Sequence, residues 1–309
     1  MTRFYSRSLF ASCILAVVMC FAFAGCGDDG GDDGRTVVTF WHFWSEPAQK
    51  VALEKRIKEF EEANPDIRVE LGELSWNDGK TKLLAAFNSE TAPDVLELGS
   101  DWIAQFSSAG VLADVGALGG KLDAFSPEVG APGRWESGVF AMPWVVDTRV
   151  LFVNNGLLAS SGQDTSASDS TWEQLIARAE KIKIAQADAF GFGVNGEDRH
   201  RLYKKILPFF WSNGGELLDT AGKPVINSTA NIEALETYIA LSRSGVIDTQ
   251  KKLDDDFMRG KIGFLISGSW LVDRIKKDNP KLKYAVTTLP GFAGRRAMSF
   301  AGGEYLAIS

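Results

Sequence analysis

The sequence predicts an α/β fold built as two lobes, and three observations carry that prediction. The body opens as strand, helix and strand over residues 36–42, 45–63 and 67–71, a βαβ unit whose strands run parallel. Strand-like and helix-like segments then alternate to the end of the chain. Midway, residues 140–155 (FAMPWVVDTRVLFVNN) read as a crossover between lobes: two short apolar runs, 140–144 and 150–153, with Trp144, Asp147 and Arg149 between them. A carboxylate that interrupts an apolar strand pair faces solvent, a partner or a ligand, because unpaired burial is costly. A surface turn with an Asp147–Arg149 ion pair accounts for the same residues equally well.

At 309 residues the chain is long enough for two domains. A net charge of -7, with no Lys/Arg-rich run, argues against a nucleic-acid partner. Cys13, Cys20 and Cys26 all lie at the start, so the body from Gly27 onward can hold neither a disulfide nor a zinc–thiolate site. His42 and His200 are the only histidines, too few for a multi-His metal centre and a poor basis for a catalytic triad. The chain has no G-x-G-x-x-G, no P-loop pattern and no internal repeat, and no cofactor is expected.

Taken in order, residues 1–25 read as a targeting segment. Arg3 and Arg7 make its positive start, residues 9–24 its apolar run, and Phe23-Ala24-Gly25-Cys26 resembles a lipoprotein cleavage site with Cys26 as the lipidated residue. Gly27–Gly34 (GDDGGDDG) has no apolar side chain and reads as a flexible tether, not a calcium loop. In the first helix Ser45 is the expected N-cap, Pro47 suits the first turn, and Leu53, Ile57 and Phe60 form the buried stripe. A helix over 78–89 turns Leu83, Leu84 and Phe87 inward, and a strand over 95–98 leads to Asp101 and Trp102. Ligands in open α/β sheets sit beyond the carboxyl ends of strands, where Trp44, Glu46, Asp101 and Trp102 fall; core packing or capping explains each one singly as well.

Further on, Pro143 is expected to end the first crossover strand, and Pro208 the helix from 199. Ser170 or Thr171 caps a helix carrying Trp172, Leu175, Ile176 and Ala179. A strand over 190–194 contains Gly191 and Gly193, where backbone can approach closely. Trp211 to Gly215 reads as a turn. Ile232, Leu235 and Ile239 are the expected buried face of the next helix, which Gly245 ends. Asp254–Asp256 read as a helix N-terminal acid cluster. Strands over 261–266, 284–289 and 298–308 and a helix entered at Trp270 complete the chain.

The segments TFWHFWSEP (39–47), WNDGKTKLLAAFNSETAPDVLELGSDWIAQF (76–106), FAMPWVVDTRVLFVN (140–154), LPFFWSNGG (207–215), MRGKIGFLISGSW (258–270) and FAGGEYLAIS (300–309), in this order, resemble the family 1 extracellular solute-binding proteins that deliver sugars to ABC importers. The resemblance implies a periplasmic-binding-protein-like fold, type II-like, with two α/β lobes joined by crossover segments and a sugar site between them. It divides the chain into 1–25 signal peptide, 26–35 tether, 36–146 N-terminal lobe, 147–257 C-terminal lobe and 258–309 return to the N-terminal lobe. Family members usually continue past the FAGGEYLAIS segment, so a chain stopping at Ser309 is expected to have an incomplete C-terminal lobe. Carried over by position, the implied ligand residues are Trp44, Glu46, Asp101, Trp102, Trp144, Asp147, Arg149, Trp211, Trp270 and Glu304, aromatics for sugar C–H faces and charged groups for hydroxyls. The implied partners are a sugar or oligosaccharide and the permease subunits of an ABC importer. The chain would be a monomer held by lipid at the extracytoplasmic or periplasmic membrane face.

Two other readings compete. A secreted glycoside hydrolase would use paired carboxylates from Glu46, Asp101, Asp147 and Glu304; no carboxylate lies in an evident apolar sequence pocket that would raise its pKa, so no enzyme is expected. The same fold could instead take a non-sugar solute such as a polyamine.

Overall fold

The structure, a computed structural model, describes residues 34–167, 169–198 and 201–309. The expected signal peptide, Cys26, nearly all of the tether, and His200 lie outside them. The described chain divides into two compact units, with the boundary at Gly79.

The first unit contains β1 (Thr36–His42), α1 (Pro47–Ala63) and β2 (Ile67–Glu73). β1 and β2 pair in parallel from Thr36↔Ile67 to His42↔Glu73, as the βαβ pattern requires. The helix cap is Glu46, not Ser45. Proline at 47 holds the residue before it extended, which is the backbone an N-cap needs. The Glu46 backbone N–H donates to Gln49 Oε1 at 3.3 Å, one half of a capping box. Leu53 is buried, whereas Phe60 is 44% exposed.

The second unit begins within α2 (Gly79–Asn88), which buries Leu83 and leaves Leu84 exposed. Then come β3 (Val95–Gly99), α3 (Ile103–Ser108), α4 (Pro127–Gly130), the short pair β4 (Arg134–Trp135) and β5 (Gly138–Val139), β6 (Ala141–Thr148) and β7 (Val150–Asn154). After these the order is α5 (Asn155–Ser160), α6 (Trp172–Ala185), β8 (Phe190–Asn195), α7 (Tyr203–Ser212), α8 (Thr229–Leu241), β9 (Val246–Asp248) and α9 (Gln250–Met258). β10 (Ile262–Ser267), α10 (Trp270–Asp278), β11 (Tyr284–Thr287) and β12 (Ala301–Ile308) close the chain.

Two sheets organise this unit. In one, β12 lies between β3 and β6, antiparallel to both. In the other the order is β11-β7-β10-β8-β9, with β7 antiparallel to β10 and β11 and β8 parallel to β10 and β9. The chain passes between the sheets twice, from β6 to β7 with Arg149 between them, and from β11 to β12. The two passages are hydrogen-bonded to each other. The Arg149 backbone N–H and Thr148 Oγ1 both donate to the Phe300 carbonyl at 3.1 Å, and Ser299 Oγ donates to the Arg149 carbonyl at 2.5 Å. Within residues 258–309, β10 and β11 pair with β7, and β12 joins β3 and β6.

The second sheet carries a helix layer on each face. On one, Trp172 stacks on Phe209 at 4.0 Å, Tyr238 meets Phe209 edge-on at 5.1 Å, and the Tyr238 hydroxyl donates to the Asn195 carbonyl at 2.8 Å. On the other, Phe152, Leu253, Phe257, Leu265, Leu271 and Ile275 close together. A Cβ on Gly191 would stand 2.2 Å from the Ala179 carbonyl oxygen, so the glycine lets α6 lie directly on β8.

Several local expectations change. Pro143 lies inside β6, opposite Tyr305, and not at its end; β6 is an edge strand, where a missing N–H is tolerated. Trp144 and Asp147 are thus strand residues and not a turn. α7 continues through Pro208 to Ser212, giving up the bond to the carbonyl four residues earlier. Trp211 belongs to that helix. α8 buries Asn231, Ala234, Tyr238 and Leu241 and exposes Ile232, Leu235 and Ile239. Both sets have helical spacing; the face with Tyr238 also satisfies the Asn195 carbonyl. α9 starts at Gln250 under a Thr249 cap, so Asp254–Asp256 fall past its first turn, where side-chain partners and not the helix dipole hold them.

Candidate functional site

Arg149 is the residue between the sheets, and it is 5% exposed. Its guanidinium pairs with Asp147 of β6. It also lies over the rings of Trp270 (4.9 Å) and Phe300 (5.9 Å), where a cation meets the negative face of the π-system. The Asp147–Arg149 pair expected of a surface turn does form, but in a buried place.

Aromatic side chains surround that cation. Phe300, just before β12, stacks on Trp211 at 6.4 Å and meets Tyr203 edge-on at 5.5 Å. Trp270 opens α10, and its Nε1 donates to Asp254 Oδ2 at 2.9 Å. Asp254 also accepts from Gln250 Nε2 at 2.7 Å and Ser267 Oγ at 2.9 Å, and it lies 3.7 Å from Arg274. Arg274 in turn bonds Asp255 at 2.5 Å, while Asp256 pairs with Lys252 and Arg259. These partners replace the helix-terminal role expected for the three acids; Asp254 fixes the Trp270 ring. Gly268 permits that ring position, since a Cβ there would stand 1.8 Å from it.

Glu304 lies on β12 opposite Val145, at a bulge where Trp144 is the extra residue of β6. Burial, reinforced by the Asp147 charge, pushes Glu304 up to about 7, with Lys204 and Arg149 opposing the shift. The absence of a pKa-raising pocket, inferred from sequence, is thereby corrected: strands distant in sequence build that pocket. Tyr203, Lys204 and Lys205, at the start of α7, complete the cluster. Burial and the Asp101 charge raise the Tyr203 phenol. Burial and then Arg149 lower both lysines.

The structure therefore brings Asp101, Asp147, Arg149, Trp211, Trp270 and Glu304 into one electrostatic and aromatic neighbourhood. Trp144 is half-buried on β6. Trp102 is buried at the start of α3, with the Lys80 ammonium 5.5 Å from its ring centre. Trp44 and Glu46 lie in the first unit, where the Trp44 backbone N–H donates to His42 Nδ1 at 3.2 Å and Glu46 caps α1. Sequence reasoning missed Tyr203, Lys204, Lys205, Asp254 and Phe300. A signal existed for the lysines, since two adjacent cations lead directly into the apolar run ILPFFW. Among the described residues no group of three or more His, Cys, Asp and Glu is arranged to hold a metal ion, and no helix is long and apolar enough to cross a membrane.

A sheet pair joined by two bonded crossovers, with aromatic faces and buried charges at the passage, is the architecture of a solute-binding protein. The chain belongs to the family of bacterial extracellular solute-binding proteins, whose family model matches residues 44–309. It is 24% identical over 243 residues to a protein of Brucella abortus (strain 2308) described as a binding protein, covering 75% of this chain and 58% of that one. The chain thus spans about 58% of the length of the curated relatives it matches first. Among solved structures it is similar to the GacH receptor of Streptomyces glaucescens GLA.O, solved unliganded and with acarbose, at TM-score 0.75 and 25% identity over 89% of this chain and 71% of that one. It is similar also to the ABC substrate-binding protein Lmo0181 from Listeria monocytogenes in complex with cycloalternan, at TM-score 0.75 and 26% identity over 89% and 71% of the two chains. The α/β solute-binding fold expected from the sequence is the fold of these proteins, and the family is one of binding proteins.

Proposed function

We propose that this protein binds a sugar or oligosaccharide outside the cytoplasm and delivers it to an ABC importer. The observation that carries the reading is the Arg149 cluster, where a guanidinium paired with Asp147 lies against Trp270 and Phe300, and Trp211 and Glu304 adjoin. Flat rings suit the C–H faces of pyranoses, and charged groups suit their hydroxyls. The sugar and oligosaccharide ligands of the solved relatives support the same class. Movement of the two sheets about the Arg149–Phe300 bonds would close the site, driven by the ligand's higher affinity for the closed form. Trp44, Glu46, Trp102 and Trp144 are proposed as further ligand contacts, and the expected lobe boundaries belong to this proposal. So do cleavage before Cys26, a lipid on that cysteine that anchors the protein to the membrane, and a monomeric state.

A thermal-shift screen of the full chain against mono- and oligosaccharides, polyamines and amino acids tests the reading. A ligand at 100 times its Kd adds about 2.7 kcal/mol of stability, so a shift with a sugar class is the expected result. Trp270→Ala should then weaken that sugar by about 1–3 kcal/mol, by analogy with stacking on nucleobases. A shift with polyamines and with no sugar would contradict the reading. Glu304, with its raised pKa beside Asp147, is the one feature that favours a glycoside hydrolase. Release of reducing sugar from an oligosaccharide, abolished in Glu304→Gln, would replace binding by hydrolysis.

A further inference from the structure

The cluster around Arg149 holds three buried basic groups and offers them few acceptors. Lys204 is 7% exposed, and its ammonium has neither a hydrogen-bond acceptor nor an ion-pair partner among the described residues. It faces the rings of Tyr203 and Phe300, at 5.8 and 5.7 Å. Lys205, 3% exposed, has one acceptor, the Ile266 carbonyl at 2.9 Å, for its three N–H groups. Arg149 spends one terminal nitrogen on Asp147, and its Nε is buried without an acceptor.

The acids nearby do not make up the difference. Asp147 is committed to Arg149 through one oxygen, and Asp254 to Gln250, Ser267, Trp270 and Arg274. Glu304 carries only part of a negative charge near neutral pH. Asp101 is exposed, so solvent screens it. Water or a neutral hydroxyl could fill the empty acceptor positions, but only an anionic acceptor would also offset the burial and the Arg149 repulsion that lower the two lysines. One buried acceptor also stands empty, Asp147 Oδ1. A hydroxyl beside an acidic group donates to it, and the P–OH of inorganic phosphate does so too, which makes inorganic phosphate the necessary control.

From these groups the geometry points to an acidic sugar as the ligand, a saccharide whose carboxylate or phosphate oxygens accept from the Lys204 ammonium and Arg149 Nε–H while a neighbouring hydroxyl donates to Asp147 Oδ1. The inference rests on the proposed sugar-binding function of this site and narrows it to an anionic class. The Trp270, Phe300 and Trp211 rings would line the apolar faces of the same ligand.

Calorimetric titration of the full chain tests it, with hexuronates and oligouronates, hexose 6-phosphates, their neutral parent sugars, and inorganic phosphate. The expected result is one acidic sugar bound at least about ten times more tightly than its neutral parent. Comparing the uronate and phosphate arms shows which acid is carried. Lys204→Met should remove about ten- to a hundredfold of that affinity, as for a lost bond to a charged group, while Lys204→Arg should keep most of it. A neutral parent bound as tightly as its acidic form overturns the inference and leaves sugar binding intact. Binding of inorganic phosphate as tight as that of the sugar phosphate also overturns it. No binding by any sugar, acidic or neutral, overturns both this inference and the sugar reading beneath it. The wild-type comparison decides the matter even if Lys204→Met fails to fold; if that variant folds and keeps the acidic preference, Lys204 is not the seat.

Discussion

Glu304 links burial to pH. The folded chain lifts its carboxyl from 4.5 to about 7, so between those values the folded state holds a proton that the unfolded state has released. Stability therefore falls as pH rises through that window, by on the order of 3 kcal/mol in total. Glu304→Gln, which stays neutral, should match the wild type near pH 4.5 and exceed it by about that amount at pH 8 in urea unfolding; parallel pH profiles for the two proteins would contradict the assignment. Asp254 illustrates the opposite condition, a buried carboxylate held by four partners. Asp254→Ala strands the Trp270 and Gln250 donors and should cost about 3 kcal/mol, with a change in tryptophan emission as the Trp270 ring loses its anchor; unchanged emission and stability would remove Asp254 from that role. The sequence marked Glu304 as a candidate ligand residue but gave no sign of its raised pKa, and it gave no sign of the Asp254 role. Asp254 sits in an acidic run that reads as a helix N-terminal cluster, and the groups acting on Glu304 come from β6, from α7 and from the passage between the sheets.

At the scale of elements, α6 and β8 meet backbone to backbone at Gly191. Gly191→Ala would drive a methyl group into the Ala179 carbonyl, and neither backbone segment can yield cheaply. A loss of about 2–3 kcal/mol is expected from the shift in denaturation midpoint; a change below about 0.5 kcal/mol would mean that the helix does not sit where described. Here the sequence spoke clearly, since a glycine in an apolar strand signals close approach. It spoke ambiguously for α8, where Ile232, Leu235 and Ile239 compete with Ala234, Tyr238 and Leu241 for burial. Periodicity finds both faces, and the Asn195 carbonyl that receives the Tyr238 hydroxyl lies on another element.

At the scale of the whole molecule, Arg149 ties one sheet of the second unit to the other. Its backbone bonds the second passage, and its side chain pairs with Asp147 and covers Trp270 and Phe300. Arg149→Met leaves Asp147 buried without its cation, at a cost of about 3–5 kcal/mol. Because the residue serves both sheets, hydrogen exchange should show lost protection in β6 and β12 and also in β7 and β10. Loss confined to β6 would mean that the residue holds one sheet only.

The sequence by itself determined the α/β class, the opening βαβ unit, most strand positions and the crossover at residues 140–155. These follow from local periodicity, from turn chemistry, and from the aversion of apolar strands to unpaired charge. Only the tertiary structure decided that Pro143 lies within an edge strand, that Asp254 orients Trp270, and that Lys204 and Glu304 face the Arg149–Asp147 pair. The physical reason is range: spacing along a strand or helix is set by neighbours a few residues away, whereas the charge, burial and pKa of a site depend on groups that the sheets bring together from across the chain.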